Sequence, residues 1–123
     1  MNLEQSLAGM FDAQGKLQTA QAVTSPLLMS KEMYRLSQYT GAVENILAEY
    51  ERDYEIEYAQ KLNQFIMQDG MKPSPASTQV DMLLGEQKGQ IKYLTRIVGS
   101  SWKRVGVVQS RINHLIRESS TNI

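Results

Sequence analysis

The sequence contains no cysteine, and it has one histidine and one tryptophan among its 123 residues. The absence of cysteine excludes disulfide bonds, thiolate metal sites and a cysteine nucleophile, and it is compatible with a reducing cytoplasm. A single histidine excludes paired-histidine zinc motifs, and there is no glycine-rich G-x-x-x-x-G-K-[ST] phosphate loop. We therefore expect no enzymatic activity, no catalytic residue, no metal site and no cofactor.

Long hydrophobic runs are also missing. No segment approaches the roughly 18 apolar residues that cross a bilayer, and the N-terminus lacks the basic and apolar regions of a secretory signal. We expect a cytoplasmic protein with no membrane partner. Hydrophobic residues make up 41% of the chain, which is enough for a modest core in a single domain covering residues 1–123.

Proline is scarce, with three residues in the sequence, and two of them stand with Gly70 in a segment that interrupts the chain at residues 69–77. This polar segment predicts a linker between two long helices, at residues 26–68 and 78–118. Thr78 and Asp81 have the spacing of a capping box, which places the start of the second helix there. The first helix is expected to start at Pro26, because Thr24 and Ser25 before it suit a helix N-terminus.

Residues 1–24 are predicted to form an N-terminal helical arm of one or two short helices, weakened by Gly9 and Gly15. No alternating β-branched run occurs, so the fold class is all-α. We expect the long helices to form an antiparallel hairpin that oligomerises, because a small core gains burial from a neighbour. The candidate oligomer interface consists of apolar and aromatic residues at helical spacing: Tyr50, Tyr54, Tyr58, Val98, Val105 and Ile112.

Charge is distributed unevenly along a chain whose formal net charge is zero. Residues 1–70 carry five basic and ten acidic side chains, whereas residues 71–123 carry eight and three. From Lys88 to Arg117 there are seven basic residues and no acidic one. Such polarity indicates either contact with a polyanion or two oppositely charged helices lying together.

Both interpretations of the basic stretch remain open. A row of cations on one helix flank suits the phosphates of a nucleic-acid strand. Alternatively, the cations pair with glutamates of the first long helix across the hairpin. The candidate nucleic-acid-binding residues within this stretch are Lys88, Lys92, Arg96, Trp102, Lys103, Arg104 and Arg111.

The aromatic residues also allow two readings. Trp102 stands beside Lys103 and Arg104, so its indole could stack on an unpaired base, but packing in a core or subunit interface is the alternative. Tyr50, Tyr54 and Tyr58 form one stripe, and such stripes more often belong to a core or an interface than to a base-stacking surface.

Two segments of the chain carry short motifs. The first, Ala59-Gln60-Lys61-Leu62-Asn63-Gln64-Phe65, resembles the Lys-Ala-Arg-Leu-Asp-Tyr-Tyr segment of the UvsY family of phage recombination mediators, with Lys61 aligned to the arginine and the first lysine missing. After the linker, residues 93–98 and 105–111 follow its Tyr-Trp pattern and Ser-Arg motif. The resemblance covers roughly residues 50–117, and it implies that Lys61 and Arg111 contact DNA.

Membership of such a family would imply a ring-shaped homo-oligomer that binds single-stranded DNA with little sequence preference. The implied protein partners are a RecA-like recombinase and a single-strand-binding protein, and the location is the host cytoplasm if the protein is phage-encoded. The alternative hypothesis is a structural or adaptor protein, such as a virion assembly factor, a scaffolding factor or a secretion chaperone, with no nucleic-acid role.

Overall fold

A computed structural model describes residues 1–121, and all regular structure in that range is helical. The described chain forms four helices: α1 (Leu3–Ala22), α2 (Pro26–Met67), α3 (Pro73–Leu83) and α4 (Gly85–Thr121). The predicted all-α class is therefore confirmed.

The N-terminal segment is one continuous helix. Asn2 and Gln5 form a capping box, in which the Gln5 N–H donates to Asn2 Oδ1 at 2.8 Å and the Asn2 N–H donates to Gln5 Oε1 at 3.1 Å. At the other end, the backbone N–H groups of Thr24 and Ser25 donate to carbonyls of the last turn. Thr24 occupies the left-handed region at φ 54°, where glycine is usual, so a β-branched residue is strained there.

Helix α2 starts where the sequence predicts. The Leu28 N–H donates to Ser25 Oγ at 3.3 Å, so Ser25 caps the helix while Pro26 fills a first-turn position that needs no N–H. After the end of α2, Gly70 adopts the left-handed conformation at φ 68°. A residue with a side chain would be strained in this conformation, so glycine suits the turn.

The second half of the chain departs from the predicted single helix over 78–118. Helix α3 begins at Pro73, inside the segment expected to be a linker, because proline is tolerated in the first turn of a helix. Thr78 therefore lies within α3, and its hydroxyl donates to the Ser74 carbonyl instead of capping a helix. Helix α3 ends with Leu84 as its C-cap residue, and α4 starts at Gly85.

Contacts between residues divide the chain into two compact units. Unit 1 combines Met1–Asn45 with the chain from Arg96 onward, so it contains α1, the first part of α2 and most of α4. Its core is built from three helices, and α1 contributes Met10, Ala13, Leu17 and Ala20 at alternating steps of three and four. The remaining apolar core residues are Met29, Leu36, Val43, Val98, Val108 and Ile112.

An ion-pair cluster ties α1 to α2 within unit 1. Arg35 donates to Asp12 Oδ2 at 3.0 Å and to Glu32 Oε2 at 2.5 Å. Hydrogen bonds from Arg35 and then Lys16 hold the pKa of Asp12 below its usual value, and the two carboxylates raise the pKa of Arg35. The Arg35 guanidinium also lies 6.0 Å from the centroid of the Tyr39 ring. Tyr39 in turn packs directly against the backbone at Gly9, leaving no room for a Cβ atom.

Unit 2 covers Ile46–Thr95 and contains the second part of α2, all of α3 and the start of α4. Its buried apolar residues are Leu47, Ala76, Val80, Leu84 and Leu94. Tyr58 of α2 and Ser77 of α3 share a hydrogen bond of 2.9 Å between their hydroxyl groups, which links these two helices.

Among residues 1–121, no helix combines the length and the apolar character needed to cross a membrane.

Candidate nucleic-acid interface

Helix α4 separates its cations from its buried face. In unit 1 the buried positions of α4 are Val98, Ser101, Val108 and Ile112, and all four lie on one side of the helix. Arg96 and Lys103 are seven residues apart, which is a rotation of only about 20° in a straight helix. Their backbone positions lie about half a turn around α4 from the buried ones. Arg104 and Arg111 form a second pair with the same seven-residue spacing.

Four of the α4 cations have no partner of opposite charge among residues 1–121. Within residues 1–121, no carboxylate makes an ion pair with Arg96, Lys103, Arg104 or Arg111, and none of these side chains donates a hydrogen bond. All four residues are exposed. Because they are not neutralised inside the protein, their charge is available to an anion from solution.

Two of these cations line a groove between α1 and α4. We name it the Lys103 groove; it has a volume of about 330 Å³. Its lining consists of Gln18, Gln21, Ser100, Lys103, Arg104 and Val107, with the buried Val108 beneath them. No carboxylate lines the groove, so two positive charges stand beside uncharged hydrogen-bonding groups and an apolar floor. This combination suits a phosphate with its attached sugar and base.

Trp102 lies outside the Lys103 groove, about 160° around α4 from Ser100 and Arg104 at 100° per residue, and a hydrogen bond to α2 holds it in place. Its indole Nε1–H donates to Glu44 Oε2 at 2.7 Å, within unit 1, and 40% of the residue is exposed. The hydrogen bond orients the ring from α2 while leaving part of it open to solvent. An oriented, partly exposed indole next to Lys103 can stack on a base without a large loss of side-chain entropy.

The predicted cations of unit 2 have different surroundings. Lys88 and Lys92 line a second groove together with Glu51 and Glu55 of α2, which we name the Glu51 groove. No ion pair forms there among the described residues, but two carboxylates offset the two positive charges at the groove. Lys61, also in unit 2, is half-buried. Lys88 and Lys92 in unit 2 therefore have acidic neighbours in their groove, whereas Lys103 and Arg104 in unit 1 have none in theirs.

The residues predicted to form an oligomer interface fall into two groups. Val98 and Ile112 are 7% and 3% exposed in the core of unit 1, so the chain itself already covers them, and Val105 beside them is half-buried. Tyr50, Tyr54 and Tyr58 are half-buried in unit 2, and their partial exposure leaves surface that a neighbouring subunit could cover.

Sequence reasoning missed the uncharged side of the Lys103 groove. Gln18 and Gln21 reach the site because α1 packs on α4, and Ser101 helps to hold that packing. The Ser101 hydroxyl accepts from Gln14 Nε2 at 2.9 Å and donates to Met10 Sδ at 3.3 Å. Ser101, a polar residue on the buried side of α4, thus makes a buried polar contact with α1.

No group of three or more histidine, cysteine or acidic side chains that could hold a metal ion occurs in the described part of the chain. Comparison of the chain with protein-family models, with curated proteins and with solved structures finds no match.

Proposed function

We propose that the protein is a non-enzymatic recombination mediator that binds single-stranded DNA. In this role it helps load a RecA-like recombinase onto single-stranded DNA covered by single-strand-binding protein. The observation that carries the proposal is the Lys103 groove, where two exposed cations have neither an ion-pair partner within residues 1–121 nor a carboxylate in the groove lining. The likeness of residues 50–117 to the UvsY family supports the mediator role.

Binding would start from the phosphate backbone. Lys103 and Arg104 neutralise neighbouring phosphates and release condensed counterions, which gives affinity without sequence preference. Gln18, Gln21 and Ser100 supply hydrogen bonds to sugar and base edges, and Trp102 offers its exposed ring for stacking. A single strand suits this site better than a duplex, because its bases are free to stack on a side chain.

The proposal includes the antiparallel hairpin of α2 and α4 and its assembly into a homo-oligomer, with a ring as one form. Contacts between α2 and α4 inside each unit support the hairpin. The partial exposure of Tyr50, Tyr54 and Tyr58 supports assembly. Several copies joined in one particle hold a strand at high effective concentration, so each copy needs few phosphate contacts.

Fluorescence anisotropy with a labelled oligonucleotide tests the binding step. We expect a Kd of about 1 μM or below for single-stranded DNA at low salt, weakening steeply as salt rises. Unlabelled duplex DNA of the same length should compete poorly. Absence of binding at low salt contradicts the proposal.

A second experiment tests mediation. A RecA-like recombinase is added to single-stranded DNA precovered with single-strand-binding protein, and the lag before its DNA-dependent ATP hydrolysis is timed. The protein should shorten this lag. An unchanged lag, with DNA binding intact, contradicts the mediator role while leaving the binding step in place.

The alternative is a structural or adaptor protein that binds other helices, and one observation favours it. Unit 1 exposes several large apolar side chains on α1, on the start of α2 and between them: Phe11, Val23, Leu27, Leu28 and Tyr34. Exposed apolar surface of this kind often marks protein interaction sites. Charge reversal of Arg104 and Arg111 separates the two functions. Loss of DNA binding with unchanged oligomer mass supports the mediator, whereas altered assembly without any DNA effect supports the adaptor.

A further inference from the structure

Unit 2 contains a small cavity whose lining is acidic and aromatic. We name it the Tyr54 pocket; it has a volume of about 170 Å³ and lies between α2 and α4. Tyr50, Asp53, Tyr54 and Glu57 line it from α2, and Gln87 and Gln90 line it from α4. No basic side chain contributes to the lining, so the pocket carries a formal charge of −2.

The carboxylates of the pocket are open to a ligand. Within residues 1–121, Glu57 makes no ion pair, and Asp53 pairs only with its exposed neighbour Arg52 at 3.8 Å. An exposed pair at that distance holds its partners weakly. The side-chain carbonyls of Gln87 and Gln90 add two further hydrogen-bond acceptors. The lining therefore offers acceptors and negative charge to a donor-rich cation.

The aromatic wall is held by neighbouring side chains. The rings of Tyr54 and Tyr58 lie 6.0 Å apart between centroids, at an angle of 43°. Tyr58 is itself anchored, because its hydroxyl shares a hydrogen bond of 2.9 Å with Ser77 of α3. Tyr50 and Tyr54 are half-buried one helical turn apart on the same helix. The Tyr54 ring, which lines the pocket, is thus in contact with an anchored aromatic neighbour.

The cations of the same unit do not fill the pocket. Lys88 and Lys92, which lie on the same part of α4 as Gln87 and Gln90, line the adjoining Glu51 groove, which shares Tyr54 and Ile91 with the pocket. The chain therefore offsets the charge of Glu51 and Glu55 with its own lysines but provides no such cation for Asp53 and Glu57.

We propose that the Tyr54 pocket binds the arginine side chain of a partner protein. A guanidinium is planar and weakly hydrated, so it stacks on tyrosine rings while its N–H groups donate to carboxylates. Two carboxylates and two tyrosines in one small cavity match both requirements. The pocket shares no residue with the Lys103 groove, so this inference does not depend on DNA binding.

The test uses the full-length protein and a short blocked peptide, acetyl-Gly-Arg-Gly-amide. Titration is followed by NMR through the side-chain amide signals of Gln87 and Gln90. We expect saturable shifts with a Kd of about 1 mM, as suits a single side chain. The matched peptide with citrulline in place of arginine has nearly the same shape but no charge, and it should leave these signals unchanged.

Variants of the pocket complete the experiment. Glu57→Gln and Asp53→Asn each remove one charge without changing side-chain size, and each should weaken peptide binding about tenfold, the effect of losing one charge-assisted hydrogen bond. Glu55→Gln makes the same change on the same helix outside the pocket and should alter the Kd less than twofold. Equal shifts from the citrulline peptide, or equal weakening by Glu55→Gln, overturn the proposal. Tighter binding of spermidine than of the arginine peptide assigns the pocket to a free polyamine and overturns the assignment to a protein side chain.

Discussion

Trp102 of α4 donates its indole N–H to the carboxylate of Glu44 on α2, at 2.7 Å. This bond joins a residue of the basic stretch to one of the acidic residues of the first long helix. It shows that a carboxylate of α2 can be used to position an aromatic ring, whereas the cations next to Trp102 remain unpaired within residues 1–121.

The first prediction uses Trp102 as a reporter, since it is the single tryptophan of the sequence. If bases stack on the exposed part of the ring, single-stranded DNA should quench the tryptophan fluorescence, and Trp102→Leu should weaken binding by about 1 to 3 kcal/mol. Fluorescence titration and anisotropy measure the two effects. Trp102→Phe serves as the control because it keeps an aromatic face. Unchanged fluorescence at saturating DNA would contradict stacking.

The second prediction compares two pairs of cations on α4. Lys103→Gln with Arg104→Gln should lower the steepness of the log–log salt dependence by about 1.4, at about 0.7 for each single-strand phosphate contact. Lys88→Gln with Lys92→Gln removes the same charge from the Glu51 groove, where carboxylates already offset it, so its effect should be smaller. Equal effects of the two pairs would mean that overall charge, and not the Lys103 groove, determines binding.

The third prediction concerns two glycines of α1. A Cβ atom at Gly9 would collide with the Tyr39 ring, so Gly9→Ala should destabilise the protein by about 1–3 kcal/mol, as overpacking does. At Gly15 a Cβ atom meets nothing within 4 Å, and Gly15→Ala should stabilise the helix by up to about 1 kcal/mol. Urea unfolding measures both. If both substitutions raised the free energy of unfolding, the Tyr39 ring must move aside to accept the Cβ atom at position 9.

The fourth prediction follows from the pKa of Asp12, which Arg35 and Lys16 lower from the usual value of 3.8. A carboxyl group with a lowered folded-state pKa stabilises the protein above its unfolded-state pKa, and the contribution disappears as pH falls through the folded-state pKa. The protein should therefore exceed Asp12→Asn in unfolding free energy at pH 7, and the difference should shrink as the pH falls through the lowered folded-state pKa of Asp12.

Asp69→Asn is the matched control for the pH experiment. Asp69 is exposed, and it makes no ion pair among the described residues. Its replacement should leave the urea-unfolding profile close to that of the unaltered protein at every pH. A difference between the protein and Asp12→Asn that stays constant as the pH falls from neutral into the acid range would show that Asp12 acts through packing instead of charge.

The helices that the sequence predicted best are those marked by local chemistry. Ser25 and Pro26 identify the start of α2, and the observed helix, Pro26–Met67, nearly equals the predicted range of 26–68. Helix α1 carries a comparable signal in the capping residues Asn2 and Gln5. Gly9 and Gly15, however, predict a helix of low stability there. Gly9 instead lets a tyrosine pack against the backbone, a tertiary requirement that no local pattern reveals.

The break between α3 and α4 lay beyond local reasoning. Leu84 is apolar and buried, so it fits the seam of a continuous helix as well as it fits a break. The local sequence does not predict which acidic side chains lie near which basic ones either, because this depends on how α2 is rotated about its axis. That rotation brings Glu51 and Glu55 to a groove with Lys88 and Lys92, while uncharged glutamines of α1 reach Lys103.

The division of the chain has a consequence for the order in which the protein folds during synthesis. Unit 2 is a continuous segment, Ile46–Thr95, and all of it has been translated before most of α4 exists. Unit 1 combines residues from both ends of the sequence. The core around α1 is therefore complete only after Val108 and Ile112 have been synthesised. Such distant contacts form late, because a long intervening loop must first be closed. Until the last turns of α4 emerge, the part of α1 that packs on α4 stays open to chaperones and proteases.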